Sequence, residues 1–168
     1  KTMQWRDVMI LVRKRTHLSA YEAAFREANI PFLSDRRGGL LDSLEIADLI
    51  ALLTFCITPH DNRALAHVLK SPIVGASDQA LMQIAQREES FWWERLKTMH
   101  QENNLSFELL DAVKLLEVWV QKAQYLPVHD FLDMVVHQGE LMQRYAQYST
   151  TLNRGQVLGN IEAFLGMS

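Results

Sequence analysis

The chain changes its hydrophobic rhythm once, near residue 40. Before that point, residues 7–13 read Asp-Val-Met-Ile-Leu-Val-Arg, a short apolar run without polar interruption. Seven residues is strand length, and unbroken hydrophobicity predicts a strand buried on both faces. Thr16 or Ser19 stands where a cap would start a helix through about Ala28, with Tyr21, Ala24, Phe25 and Ala28 at helical spacing. Asn29-Ile30-Pro31 ends it, because proline disfavours the helical region at the residue before it. Ile30 to Leu33 predicts a second short strand. Strand, helix and strand within ~30 residues is the size of a βαβ unit.

Arg36-Arg37-Gly38-Gly39 predicts a turn, and beyond it every apolar pattern is helical. Asp42, with Glu45 three residues on, forms a capping-box variant ahead of Ile46, Leu49, Ile50 and Leu53. Pro59 and His60 break that helix, and Asp61 caps the next, to about Leu69. An irregular connector follows at residues 71–76, and Ser77 or Asp78 caps a helix through Arg87. Further helices are predicted at 90–100, 106–124, 128–137, 139–148 and 153–166. The fold class is mainly α. A helical bundle over residues 42–168 is attached to a small α/β edge over residues 1–41. Two buried-type strands and one helix cannot cover a parallel sheet, so the rest of the sheet is expected elsewhere in a longer chain.

Composition narrows the class. Of 168 residues, 48% are apolar and 22% charged, the balance of a folded globular chain. A single cysteine, Cys56, cannot form an internal bridge, which points to a reducing, cytoplasmic compartment. The longest apolar stretch, around residues 49–57, is about half of what a bilayer requires, so no membrane partner is expected. The chain opens on Lys1 rather than methionine, which suggests an excised or processed piece. Residues 1–37 hold eight Lys/Arg against four Asp/Glu, a net +4, whereas residues 38–168 hold nine against sixteen, a net -7. Bulk charge in the helical part therefore does not favour phosphates, and any DNA contact there must be local.

Three stretches carry a family resemblance. The first is the 7–13 run, followed by Tyr21-Glu22 and Ala28-Asn29-Ile30-Pro31-Phe32. The second is Gly38-Gly39-Leu40-Leu41 with Glu45-Ile46 and Asp48-Leu49. The third is Leu69-Lys70-Ser71-Pro72-Ile73-Val74-Gly75 with Ser77-Asp78 and Leu81. Their order and spacing resemble the second motor lobe of UvrD/Rep-type superfamily 1 DNA helicases, running into the inserted helical 2B subdomain. The connector and the ending Asn160-Ile-Glu-Ala-Phe-Leu165 resemble the exonuclease V beta-subunit branch, of AddA and RecB type.

The resemblance implies a parent with two RecA-like lobes that unwinds DNA by ATP-driven translocation in recombinational repair, usually joined to a nuclease. ATP and magnesium belong to that parent. No Gly-x-x-x-x-Gly-Lys-Ser/Thr loop occurs in this chain, so neither is expected to be held by it alone, and ATP is not expected to be hydrolysed. Its implied partners are DNA, the missing motor lobe and a nuclease or helicase subunit. Arg13 matches the family arginine that reaches the ATP γ-phosphate, a planar cation placed where phosphoryl transfer spreads negative charge. Where many relatives have a tyrosine before that arginine, this chain has Val12.

The connector matches a turn that grips duplex backbone in the UvrD branch, which makes Lys70, Gly75, Ala76 and Ser77 the implied DNA contacts. Val74 stands in place of the family's arginine and Ser77 in place of its second glycine. Asp42, Glu45 and Asp48 are read as structural: carboxylates in a first helical turn favour the positive end of the helix dipole.

Other candidates have plainer readings. The six histidines lack zinc spacing, and no metal site is expected. Cys56 reads as a buried small hydrophobe. Adjacent Trp92 and Trp93, after an expected cap at Ser90, must face different directions, one to the core and one partly to solvent. Leu109, Val113, Leu116 and Val120 read as core packing. The alternative reading is a non-catalytic helical module that docks a protein partner.

Overall fold

The structure, a computed structural model, describes residues 5–28, 30–32 and 40–167. The chain divides into two compact units, Lys1–Gly38 and Gly39–Ser168.

In the first unit, helix α1 spans Leu18–Glu27 and follows a 3-10 turn at Arg15–His17. Among the described residues there is no strand. The apolar run expected as a buried strand is irregular, and its side chains face solvent, Met9 at 82% and Leu11 at 87% exposure. The physical reason is the missing neighbour. A strand satisfies its backbone and covers its faces only beside other strands and packed helices, and the described residues supply none. Ile30 to Phe32 form no strand either. Asn29, Leu33 and the expected turn at 36–39 lie outside the described residues.

The second unit is helical throughout its regular structure: α2 (Leu44–Ile57), α3 (Asn62–Lys70), α4 (Asp78–Ala85), α5 (Trp92–Gln101), α6 (Phe107–Lys122), α7 (Val128–Gln138), α8 (Leu141–Tyr148) and α9 (Arg154–Leu165). Helix α2 is apolar on nearly every side, so it must be surrounded. It packs on α3, α6 and α9. Its Ile46, Leu49, Leu52 and Phe55 are wholly buried, each contributing about 1.5–3 kcal/mol of transfer free energy. Phe55 meets Trp93 edge-on, with centroids 5.3 Å apart at 76°. Trp93 is buried while Trp92 is half-buried, as two adjacent helical residues require.

Helix starts show where local signals were sufficient. Asp61 accepts from the amides of Arg63 and Ala64 at 3.0 and 2.9 Å, and Ser77 from that of Ala80 at 3.2 Å. Asp42 does not cap α2. It closes a 3-10 turn, Leu40–Asp42, and the extended residue before the helix is Ser43. Counting from Ser43, the third helical position is Ile46, which has no carboxylate to complete a capping box. Ser90 does not cap α5. Phe91 occupies that position without a side-chain bond, and the Trp92 amide donates instead to Asn62 Oδ1 at 2.8 Å. Asn62 Nδ2 donates in turn to the Ser90 carbonyl at 3.3 Å, so the start of α3 caps α5.

The turn between α7 and α8 allows no bulk. A Cβ at Gly139 would lie 2.9 Å from the Val135 carbonyl and 3.0 Å from Trp119. Among the described residues, no helix is long and apolar enough to cross a membrane.

Candidate functional site

The connector between α3 and α4 is a closed turn. The Ser71 carbonyl accepts from the amides of Val74 and Gly75 at 3.2 and 2.7 Å, and the Ala76 amide donates to the Leu69 carbonyl at 2.8 Å. The Ser71 hydroxyl donates to the Val68 carbonyl at 2.9 Å and accepts from the Ile73 amide at 3.3 Å. The reversal requires a left-handed residue, and Gly75 has φ +73°. Ile73, Val74 and Ala76 are buried. Ile73 and Val74 line a narrow cleft with Ala112, Leu116, Trp119 and Arg144. The solvent-facing rim is Lys70, Ser77 and Asp78. The Lys70 ammonium pairs with the Asp78 carboxylate, both side chains being largely exposed, so the pair contributes little to stability.

Helix α8 lies against this turn. Arg144 Nη1 donates to the Ile73 carbonyl at 3.1 Å. The Tyr145 hydroxyl donates to Asp48 Oδ2 at 2.7 Å. The Tyr148 hydroxyl sits over Gly75, so close that a Cβ there would be 2.5 Å from it. Burial raises the Tyr145 pKa above its ordinary range. The negative charge of Asp48 and the hydrogen bond to it act in the same direction, and Glu45 adds to them.

Glu45 and Asp48 are 7% and 8% exposed. Asp48 Oδ1 lies 2.7 Å from His67 Nε2. Glu45 Oε1 accepts from Asn160 Nδ2 at 2.5 Å. The two acids of α2 therefore join α3, α8 and α9. A hydrogen bond to a charged group contributes about 1.5–3 kcal/mol, and a buried carboxylate stripped of its partner costs more. Among the described residues no three His, Cys, Asp or Glu side chains gather as metal ligands would. Cys56 is buried, and burial pushes its thiol up to about 12.

Arg13 belongs to the other unit. It is exposed. It stands beside Lys14 and Arg15, on a segment without regular secondary structure.

Sequence reasoning marked the connector and the α2 acids but missed the residues that unite them. Tyr145 lies 97 residues from Asp48 and Asn160 lies 115 from Glu45. No local spacing signals such pairs. His67 was legible only as one of six histidines without metal spacing, and Arg144 only as a charge on a helix.

Comparison with known proteins bears on both units. Residues 1–155 match the UvrD-like helicase C-terminal domain. The chain is similar to proteins named as the A subunit of an ATP-dependent helicase/nuclease. That of Listeria welshimeri is 38% identical over 84 residues, covering 50% of this chain and 7% of the relative. That of Desulforudis audaxviator is 30% identical over 126 residues, covering 73% and 10%. That of Anoxybacillus flavithermus is 28% identical over 136 residues, covering 79% and 11%. The chain thus spans about a tenth or less of the length of these relatives. With the match running from the apolar opening through the connector and α8, the chain belongs to the UvrD-like helicase C-terminal domain family.

Proposed function

We propose that this chain is part of an ATP-dependent DNA helicase/nuclease acting in DNA repair and recombination in the cytoplasm. Residues 1–41 contribute to a RecA-like motor lobe, and residues 42–168 form a helical 2B-type insertion that guides DNA. The observation that carries the reading is the continuous family match over residues 1–155, across both units. The exposed apolar run at residues 8–12 supports it, because a neighbouring sheet would cover those side chains.

In this reading Arg13 reaches a nucleotide held by the remaining motor lobe. ATP and magnesium are held there and not by this chain, which does not turn over ATP alone. At the connector, Lys70 and Ser77 face solvent and are the groups able to meet a phosphate. Gly75 and Ala76 contribute shape, since their amides are used inside the turn. A nuclease or helicase subunit completes the assembly.

The test is Arg13→Ala in the full-length parent. ATP turnover should be lost while nucleotide binding is largely kept; unchanged turnover rejects the assignment of Arg13. At the connector, Lys70→Ala should lower duplex affinity, and an unaltered affinity removes that loop as a DNA contact.

A further inference from the structure

We infer that α8 is the positioning element of the connector, with Arg144 and Tyr145 as positioning residues that keep residues 71–76 in the one shape able to present Lys70 and Ser77 to a duplex backbone. The inference rests on the proposed DNA role of that loop.

Three side chains of one eight-residue helix converge on the turn or on its support. The second unit is rich in carboxylates, yet Arg144 directs a guanidinium N–H to the backbone carbonyl of Ile73. That carbonyl lies inside the turn, just before Val74, Gly75 and Ala76, whose amides donate to the Ser71 and Leu69 carbonyls. Tyr145 fixes Asp48, and Asp48 holds His67, which shares the last turn of α3 with Lys70. Tyr148 closes over Gly75, the left-handed residue on which the reversal depends. Helix α8 therefore meets the turn at Ile73 and at its pivot, Gly75, and supports α3 before it through Asp48.

Helix α8 itself is seated on α7 and α9. A change in its seating would pass directly to the connector, because the turn has no free amide at positions 74–76 with which to relax.

The experiment measures amide exchange at Val74, Gly75 and Ala76 together with duplex-DNA affinity of the whole chain. Arg144→Met should speed connector exchange roughly fivefold or more, the size of one net hydrogen bond. It should weaken duplex binding by a similar factor and leave α6 amides protected. Arg144→Lys, which can still donate to the carbonyl, should recover most of both. Tyr145→Phe should loosen the same amides. Unchanged connector exchange in both Arg144→Met and Tyr145→Phe overturns the inference. If connector exchange rises while Lys70→Ala leaves duplex affinity untouched, the positioning role stands and the DNA reading fails. If Lys70→Ala weakens duplex binding and Arg144→Met alters neither readout, the DNA reading stands and the positioning role fails.

Discussion

The Tyr145 hydroxyl donates to Asp48 Oδ2 at 2.7 Å, inside the protein and across 97 residues of sequence. Asp48 would otherwise be a buried carboxylate with only His67 beside it. Because burial, then the Asp48 charge, raise the Tyr145 pKa, the folded protein keeps this proton where an unfolded chain releases it. The folded state then binds more protons above about pH 10, so this contribution to stability is complete below pH 10 and declines as pH rises further. Tyr145→Phe should lower neutral-pH stability by about 1–3 kcal/mol and flatten the alkaline limb of a melting-temperature profile. A limb as steep as in the wild type would count against this account.

Cys56 acts in the same direction from a lower starting point. Its thiol is pushed from 9.0 up to about 12 by burial, so stability that is intact below pH 9 is lost progressively toward pH 12. Cys56→Ala should remove the first part of the alkaline decline, between those values. Thermal melts of the two variants and the double variant separate the two groups.

At the acid end the relevant residue is Glu89. Hydrogen bonds from Arg87 hold its carboxyl down at about 2, below an ordinary 4.5. Arg87 also takes Glu102 through both terminal nitrogens, at 2.9 and 3.1 Å. The contribution is present above pH 4.5 and fades as pH falls toward 2. Glu89→Gln should flatten the stability profile across that window by lowering stability above pH 4.5, modestly because the group is near the surface, while stability near pH 2 stays close to wild type.

Asn62 should matter more than its place at a helix start suggests, because it serves two helices. Asn62→Ala removes the acceptor for the Trp92 amide and the donor to Ser90, at a cost of about 1–2 kcal/mol. Asn62→Asp keeps the acceptor and should cost less. Denaturant unfolding of the two variants checks the order.

If the connector meets DNA, Asp78 opposes that contact twice, by occupying Lys70 and by repelling phosphate. Asp78→Asn should raise duplex affinity and steepen its salt dependence by about 0.9 in the log–log slope for each further phosphate neutralised. Anisotropy titrations over a salt series would show it. A slope unchanged by the substitution removes Lys70 from the contact.

The helices were legible because their signals are local. Asp61 and Ser77 cap where their side chains and the following apolar spacing say they should. Leu109, Val113 and Leu116 face the core because 3.6-residue periodicity leaves them no other side. Asp42 and Ser90 misled because capping depends on where the backbone turns extended, and a 3-10 turn or a distant asparagine shifted that point by one residue. The opening run misled for the opposite reason. Its composition is that of a strand, but a strand is a relation between segments, and the described residues hold no partner for it.

By itself the sequence determined the mainly helical class, most helix boundaries, the buried state of α2 and the family resemblance, since these follow from periodicity, caps and motif spacing along the chain. Only the tertiary structure decided what Glu45 and Asp48 do and what holds the connector. Those answers depend on Tyr145, Arg144 and Asn160 arriving from 70 or more positions away. A buried carboxylate can take its hydrogen-bond donors from any part of the chain, and packing alone selects which ones arrive.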